Sequence, residues 1–130
     1  MLPAYSNLLD KLTAVKQVAT IYALGQECTL FTGKIPNSDV DVIAIKNDAL
    51  YDRKDGPYTD NNNIDWPDNA LRFGVLSRVA SLLTKKGSPL NWQPNIVHCN
   101  DWQSGLTPAY IKLVDKTPVK TIFNIHNMAY

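Results

Sequence analysis

The chain has 130 residues, 45% of them hydrophobic, with 13 basic against 12 acidic side chains. That is enough apolar material for one buried core and too much for intrinsic disorder. The formal charge of +1 includes no basic stripe of the kind that nucleic acid needs, and no apolar run approaches the roughly 20 residues of a membrane-spanning helix.

Three strand-like runs come first. Lys16–Leu24 is rich in Val, Ile and Tyr, Glu27–Ile35 has β-branched and aromatic content, and Val40–Ile45 follows the turn composition Pro36-Asn37-Ser38-Asp39. The last two are expected to form an antiparallel hairpin near residues 27–46, because their connection is too short for a helical crossover. From Asp48 to Trp66 the chain is polar, without a hydrophobic period, and holds Gly56-Pro57 and Asn61-Asn62-Asn63. A loop of that length in a compact domain is either functional or disordered. Tyr51, Tyr58 and Trp66 make it more aromatic than a plain linker.

Past Pro67 the pattern turns to strand and helix. Asp68 suits the N-cap of a helix running to about Lys86, with Leu71, Val75, Val79, Leu82 and Leu83 on one face and Gly87 at the C′ position. Asn95–Cys99 reads as a short strand. Trp102–Val114 reads as helical, and Pro108 either starts that helix near Thr107 or kinks it. Val119–Ile125 is the last strand, so the final strand–helix–strand unit predicts two parallel neighbours.

Ligands of open parallel α/β sheets bind outside the carboxyl ends of the strands. That rule selects His98-Cys99-Asn100-Asp101-Trp102 at one exit and His126-Asn127 at the next. Strands about 4.8 Å apart bring such side chains onto one small ligand. Asp101 suits a helix N-cap as well as a substrate contact. His98, inside its strand, reads first as a hydrogen-bonded core histidine, whereas His126 stands just beyond the last apolar residue. Tyr58, Trp92 and Trp102 read on composition as packing aromatics. Cys28 and Cys99 are the only cysteines, which predicts two buried, reduced thiols in place of a disulfide framework. With two histidines besides, no metal-ligand spacing occurs. The sequence also lacks the Gly-rich motif of P-loop nucleotidases, the dinucleotide fingerprint and the nucleophile elbow.

At the strand exits the wording resembles a known family. Residues 95–110, Asn-Ile-Val-His-Cys-Asn-Asp-Trp-Gln-Ser-Gly-Leu-Thr-Pro-Ala-Tyr, are similar to the HCHDWQTGLVPAYL stretch of bacterial glycogen synthases and plant starch synthases. Residues 121–130 resemble that family's TVHNLAYQG segment, residues 48–73 its ALYDRPG…YPDNAERF region, and Leu2-Pro3-Ala4-Tyr5 the exit of an early strand. Asn100 stands where the family usually has His, and Met128 where it has Leu.

The resemblance implies an α/β fold: a Rossmann-like parallel sheet with helices, part of the N-terminal half of a GT-B glucosyltransferase. Residues 1–130 would then be a single partial N-terminal catalytic domain. The family is retaining, needs no metal or other cofactor, and transfers glucose from ADP-glucose or UDP-glucose to the non-reducing end of an α-1,4-glucan. Carried over, His126 would contact the donor glucose, Asp101 would line the acceptor side, Tyr58 would reach the glucan acceptor, and Asn127 would shape the strand exit beside His126. The family's Lys-Thr-Gly-Gly loop and its C-terminal half, which hold the diphosphate, find no counterpart in this chain. The isolated chain is therefore expected to be inactive and to expose a sheet edge and an apolar face. The alternative is a non-catalytic glucan-binding or regulatory half-domain. The resemblance implies a bacterial cytoplasm or a plastid as its location, and neither nucleic acid nor membrane as a partner.

Overall fold

The computed structural model describes residues 1–127, so Met128 and the end of the 121–130 segment lie outside the described residues. The fold falls into two compact units, Met1–Arg72 and Phe73–Tyr130.

The first unit is built on a four-stranded mixed sheet in the order β1-β4-β3-β2, comprising β1 (Leu2–Pro3), β2 (Thr13–Ala23), β3 (Gln26–Lys34) and β4 (Asp41–Lys46). β2 and β3 meet through the two-residue turn Leu24-Gly25, both at positive φ (50° and 76°). That geometry matches the right-handed twist of a hairpin and places glycine where a side chain is strained. β3 and β4 form the expected antiparallel hairpin, with Leu30 opposite Ile45 and Thr32 opposite Ile43. β1 adds in parallel to β4, Leu2 beside Ala44. Cys28 and Leu30 are buried at alternate positions of β3, whereas Ala44 and its neighbour Ile45 are both buried, so β4 is covered on both faces there. β2 is the outer strand, largely exposed, with register shifts on both sides of Lys16–Gln17.

The polar stretch after β4 is ordered. Asn47 caps the short helix α1 (Asp48–Tyr51) by accepting the Leu50 amide on its side chain at 3.1 Å. Leu50 and Tyr51 are buried, and a β-bridge joins Thr59 to Asp65. The helix α2 (Asn69–Leu82) begins where expected. The carboxylate of Asp68, however, pairs with Arg53, so the nearby guanidinium has taken the group read as a cap. Arg72 through Ser77 are buried without interruption, which corrects the single apolar face read from sequence: this helix is enclosed all round. It also ends several residues before Lys86, and Gly87 follows in the left-handed region at φ 79°.

In the second unit, β5 (Ile96–Asn100) and β6 (Lys120–Asn124) are parallel, in register Ile96–Lys120 through Asn100–Asn124. Between them run a 3₁₀ turn (Trp102–Ser104), the short helix α3 (Thr107–Ala109) and a π-helical turn (Tyr110–Asp115). Pro108 sits in the first turn of α3, where its missing N–H costs nothing, so the helix starts at Thr107 and does not kink. Lys116 closes the π turn in the left-handed conformation (φ 52°). Asp115, its side chain 2% exposed, accepts hydrogen bonds from Arg78 and Ser81 and lies 3.5 Å from the Lys85 ammonium. Burial pushes its carboxyl up, yet the bonds from Arg78 and Ser81 and the charges of Arg78 and Lys85 hold it below the ordinary carboxylate range.

Two sequence expectations fail here. His98 is exposed, because it lies on an open face of the two-stranded sheet instead of in a core. Trp92, in the irregular segment before β5, is likewise exposed. Cys28 and Cys99 are free and buried, and burial raises the pKa of both thiols. Ile96, Ile122, Phe123 and Ile125 of the β5–β6 region are exposed apolar residues, an uncovered surface of the kind expected.

Candidate functional site

The parallel register makes β5 and β6 end side by side at Asn100 and Asn124, so the residues that follow both leave from one rim. The Asp101 amide donates to the Asn124 carbonyl at 2.9 Å, carrying the ladder one step past the strands. Asp101 itself adopts φ 54°, ψ −174°, a region that is costly for any residue with a Cβ. In that conformation its carboxylate crosses to the neighbouring exit. Oδ1 accepts the backbone N–H of His126 at 2.6 Å and that of Asn127 at 3.3 Å.

This geometry excludes the cap reading of Asp101. It makes no side-chain cap bond to the turn that follows; its carboxylate ties the second exit to the first. Oδ2 has no hydrogen-bond partner among the described residues, so one oxygen positions the backbone while the other is free to meet a hydroxyl. The His126 ring is held on the same rim. Its Nε2 lies 3.0 Å from Asn100 Oδ1 and 3.1 Å from Asn124 Nδ2. Ser104 Oγ accepts the Asn100 amide and donates to the Asn100 carbonyl, both at 2.7 Å, which secures the end of β5. Trp102, next to Asp101 and partly exposed, meets Phe73 edge to face with centroids 4.8 Å apart.

His126, Asn127 and Asp101 are thus brought together. Sequence reasoning did not find Asn100 and Asn124 as partners of the imidazole. Their only signal was an amide at the last position of each strand, and pairing them required the register.

Tyr58 belongs to the first unit. Its carbonyl accepts from the Trp66 amide at 3.1 Å and the Asn69 side chain at 2.8 Å, and its ring is partly exposed. The loop that carries it is pinned from within. Trp66 Nε1 donates to the Gly56 carbonyl at 3.0 Å, and the Arg53 guanidinium stacks over the Trp66 ring at 5.1 Å. The fully buried Arg72 donates to the Leu50 carbonyl and to Asn69 Oδ1, each at 2.6 Å, and its own carbonyl accepts the Tyr51 hydroxyl at 2.7 Å. Tyr5 stands near this group: burial and the neighbouring Tyr58 phenol push its pKa up to about 12, against the opposing pull of Arg72. These bonds turn a stretch without hydrophobic period into a fixed platform, so of the two alternatives read from sequence the disordered one is excluded.

Residues 1–130 match the family model described as the starch synthase catalytic domain. A glycogen synthase from Paramagnetospirillum magneticum is 43% identical over 134 residues, covering all of this chain and 27% of that protein. One from Nitrosospira multiformis is 39% identical over 135 residues, with the same coverage of 100% and 27%. The chain therefore spans about a quarter of the length of the curated relatives it matches. Among solved structures, the catalytic domain of starch synthase IV from Arabidopsis thaliana, bound to ADP and acarbose, superposes with a TM-score of 0.66 at 24% identity. It covers 99% of this chain and 27% of that one. The likeness is one of fold: mixed α/β, as in that GT-B catalytic domain.

Proposed function

The chain belongs to the starch synthase catalytic domain family, and we propose that it forms part of the N-terminal half of a retaining α-1,4-glucan synthase. The reaction in this reading moves glucose from ADP-glucose or UDP-glucose to the non-reducing end of a glucan. The observation that carries it is the convergence of Asp101 and His126 at the ends of two parallel strands, with the carboxylate bound to the His126 amide. A sugar offers hydroxyls in several directions, and a carboxylate oxygen, an imidazole and side-chain amides on one rim suit it as a polar partner set.

In this reading His126 contacts the donor glucose, the free Oδ2 of Asp101 takes a hydroxyl on the acceptor side, Asn127 shapes the exit beside His126, and Tyr58 meets the glucan. The Arabidopsis neighbour, with ADP and acarbose bound, supports a nucleotide-sugar donor and a glucan acceptor as the ligands. Retention develops positive charge on the sugar and negative charge on the departing diphosphate, and prearranged polar groups stabilise both. Residues 1–130 act as one partial domain that needs the C-terminal GT-B half to enclose the donor. A bacterial cytoplasm suits the resemblance to bacterial glycogen synthases.

Two measurements test this. Incubated with ADP-glucose and a glucan primer, the 130-residue chain is expected to give no elongation, and measurable elongation would refute the need for a second half. Titrated with maltoheptaose and followed by amide NMR, the chain is expected to shift its signals around Tyr58 and around 101–102. A titration that moves neither group overturns the acceptor assignments.

A further inference from the structure

We propose that Asn100 is the positioning residue of His126: its side-chain carbonyl oxygen fixes the orientation of the imidazole that faces the donor sugar. The inference rests on the donor-facing reading of His126 and adds the device that orients the ring. Asn100 Oδ1 is 3.0 Å from Nε2 and accepts its N–H in the Nε2-protonated tautomer, with the Asn124 amide alongside at 3.1 Å. Nδ1 has no hydrogen-bond partner among the described residues and is left for a ligand.

The division of labour follows from the register. Asn100 and Asn124 are directly paired across the parallel ladder. Asp101, the next residue, holds the His126 backbone through its N–H. The backbone of His126 is thereby set by Asp101 and its ring by Asn100.

The test is Asn100→Ala in the 130-residue chain, read by the side-chain couplings and ring nitrogen shifts of His126. His98, the only other histidine and two residues away on β5, serves as the internal reference. Losing one hydrogen bond predicts a change of roughly fivefold in the His126 rotamer ratio, with His98 and the β5–β6 inter-strand contacts unchanged. Asn100→Asp, which keeps Oδ1, is expected to restore the parent orientation. The proposal is overturned if Asn100→Ala leaves the His126 rotamers as they were. It is also overturned if His98 and the strand contacts change in step with them, because Asn100 would then be holding the strand. No sugar enters the experiment, so failure of the glucan reading leaves this outcome standing, and failure of this outcome leaves the glucan reading to its own titration.

Discussion

Replacing Asp101 separates two opposing contributions that the geometry places on one residue. The carboxylate accepts two backbone N–H groups, at 2.6 and 3.3 Å. A hydrogen bond to a charged group is worth about 1.5–3 kcal/mol net, and exposure on the rim with one long bond brings the pair to about 1–2 kcal/mol. Against this stands the backbone at φ 54°, ψ −174°, which costs about 1–3 kcal/mol for a residue with a side chain. Asp101→Ala loses the bonds and keeps the strain, so it should destabilise by about 1–2 kcal/mol. Asp101→Gly loses the bonds and relieves the strain, and should fall near the parent or above it. Asp101→Asn keeps an Oδ1 acceptor and should lose less than Asp101→Ala. Urea unfolding ranks the three variants, and hydrogen exchange at the His126 amide reports the bond directly, with an acceleration of about 5- to 30-fold expected in the Ala and Gly variants. Equal stability of Asp101→Ala and Asp101→Gly, or His126 exchange unaffected by either, would refute the reasoning.

Asp115 predicts an acid-labile contact in the second unit. Its carboxyl is held below its ordinary value in the fold, so the stabilisation is present above the unfolded-state pKa of about 4 and is lost as pH falls through the lower folded value. Stability measured against pH should show that loss in the parent and a smaller one in Asp115→Asn. Asp115→Ala, which strands the partly buried Arg78, should cost about 3 kcal/mol at neutral pH in urea unfolding. Tyr5 predicts the reverse dependence. Its pKa of about 12 means that its contribution is complete below about pH 10, the unfolded-state value, and disappears as pH rises through 12. A near-ultraviolet titration should lose a late phenolate step in Tyr5→Phe, and Tyr58→Phe should move that step to lower pH.

The parts of the fold legible in the sequence were those written in local pattern. Strand-like composition on both sides of the short connection Pro36-Asn37-Ser38-Asp39 indicated the hairpin, and Pro108 narrowed the third helix to a start near Thr107 or a kink, of which the structure has the start. The two residues of β1 carry no period and become a strand only by pairing with Ala44 and Ile45. α1 was hidden because its cap, Asn47, lies in a stretch whose two buried residues, Leu50 and Tyr51, are too few to show a helical repeat. At the site, the strand-exit rule located Asp101 and His126, but their tasks depend on contacts across strands. The carboxylate could not be assigned to the His126 peptide, nor Asn100 to the imidazole, before Asn100 was known to pair with Asn124. His98 misled because strand position alone does not say which face is covered.

The one-to-one alignment of β5 with β6 also makes the rim a gauge of correct assembly. Sliding β6 by one residue would displace its exit by about 3.3 Å and turn alternate side chains over. The 2.6 Å bond between Asp101 and the His126 amide could not then close. A chain that has mispaired these strands has therefore also lost the rim on which Asp101, Asn100 and His126 meet, so strand register and rim are gained or lost as one.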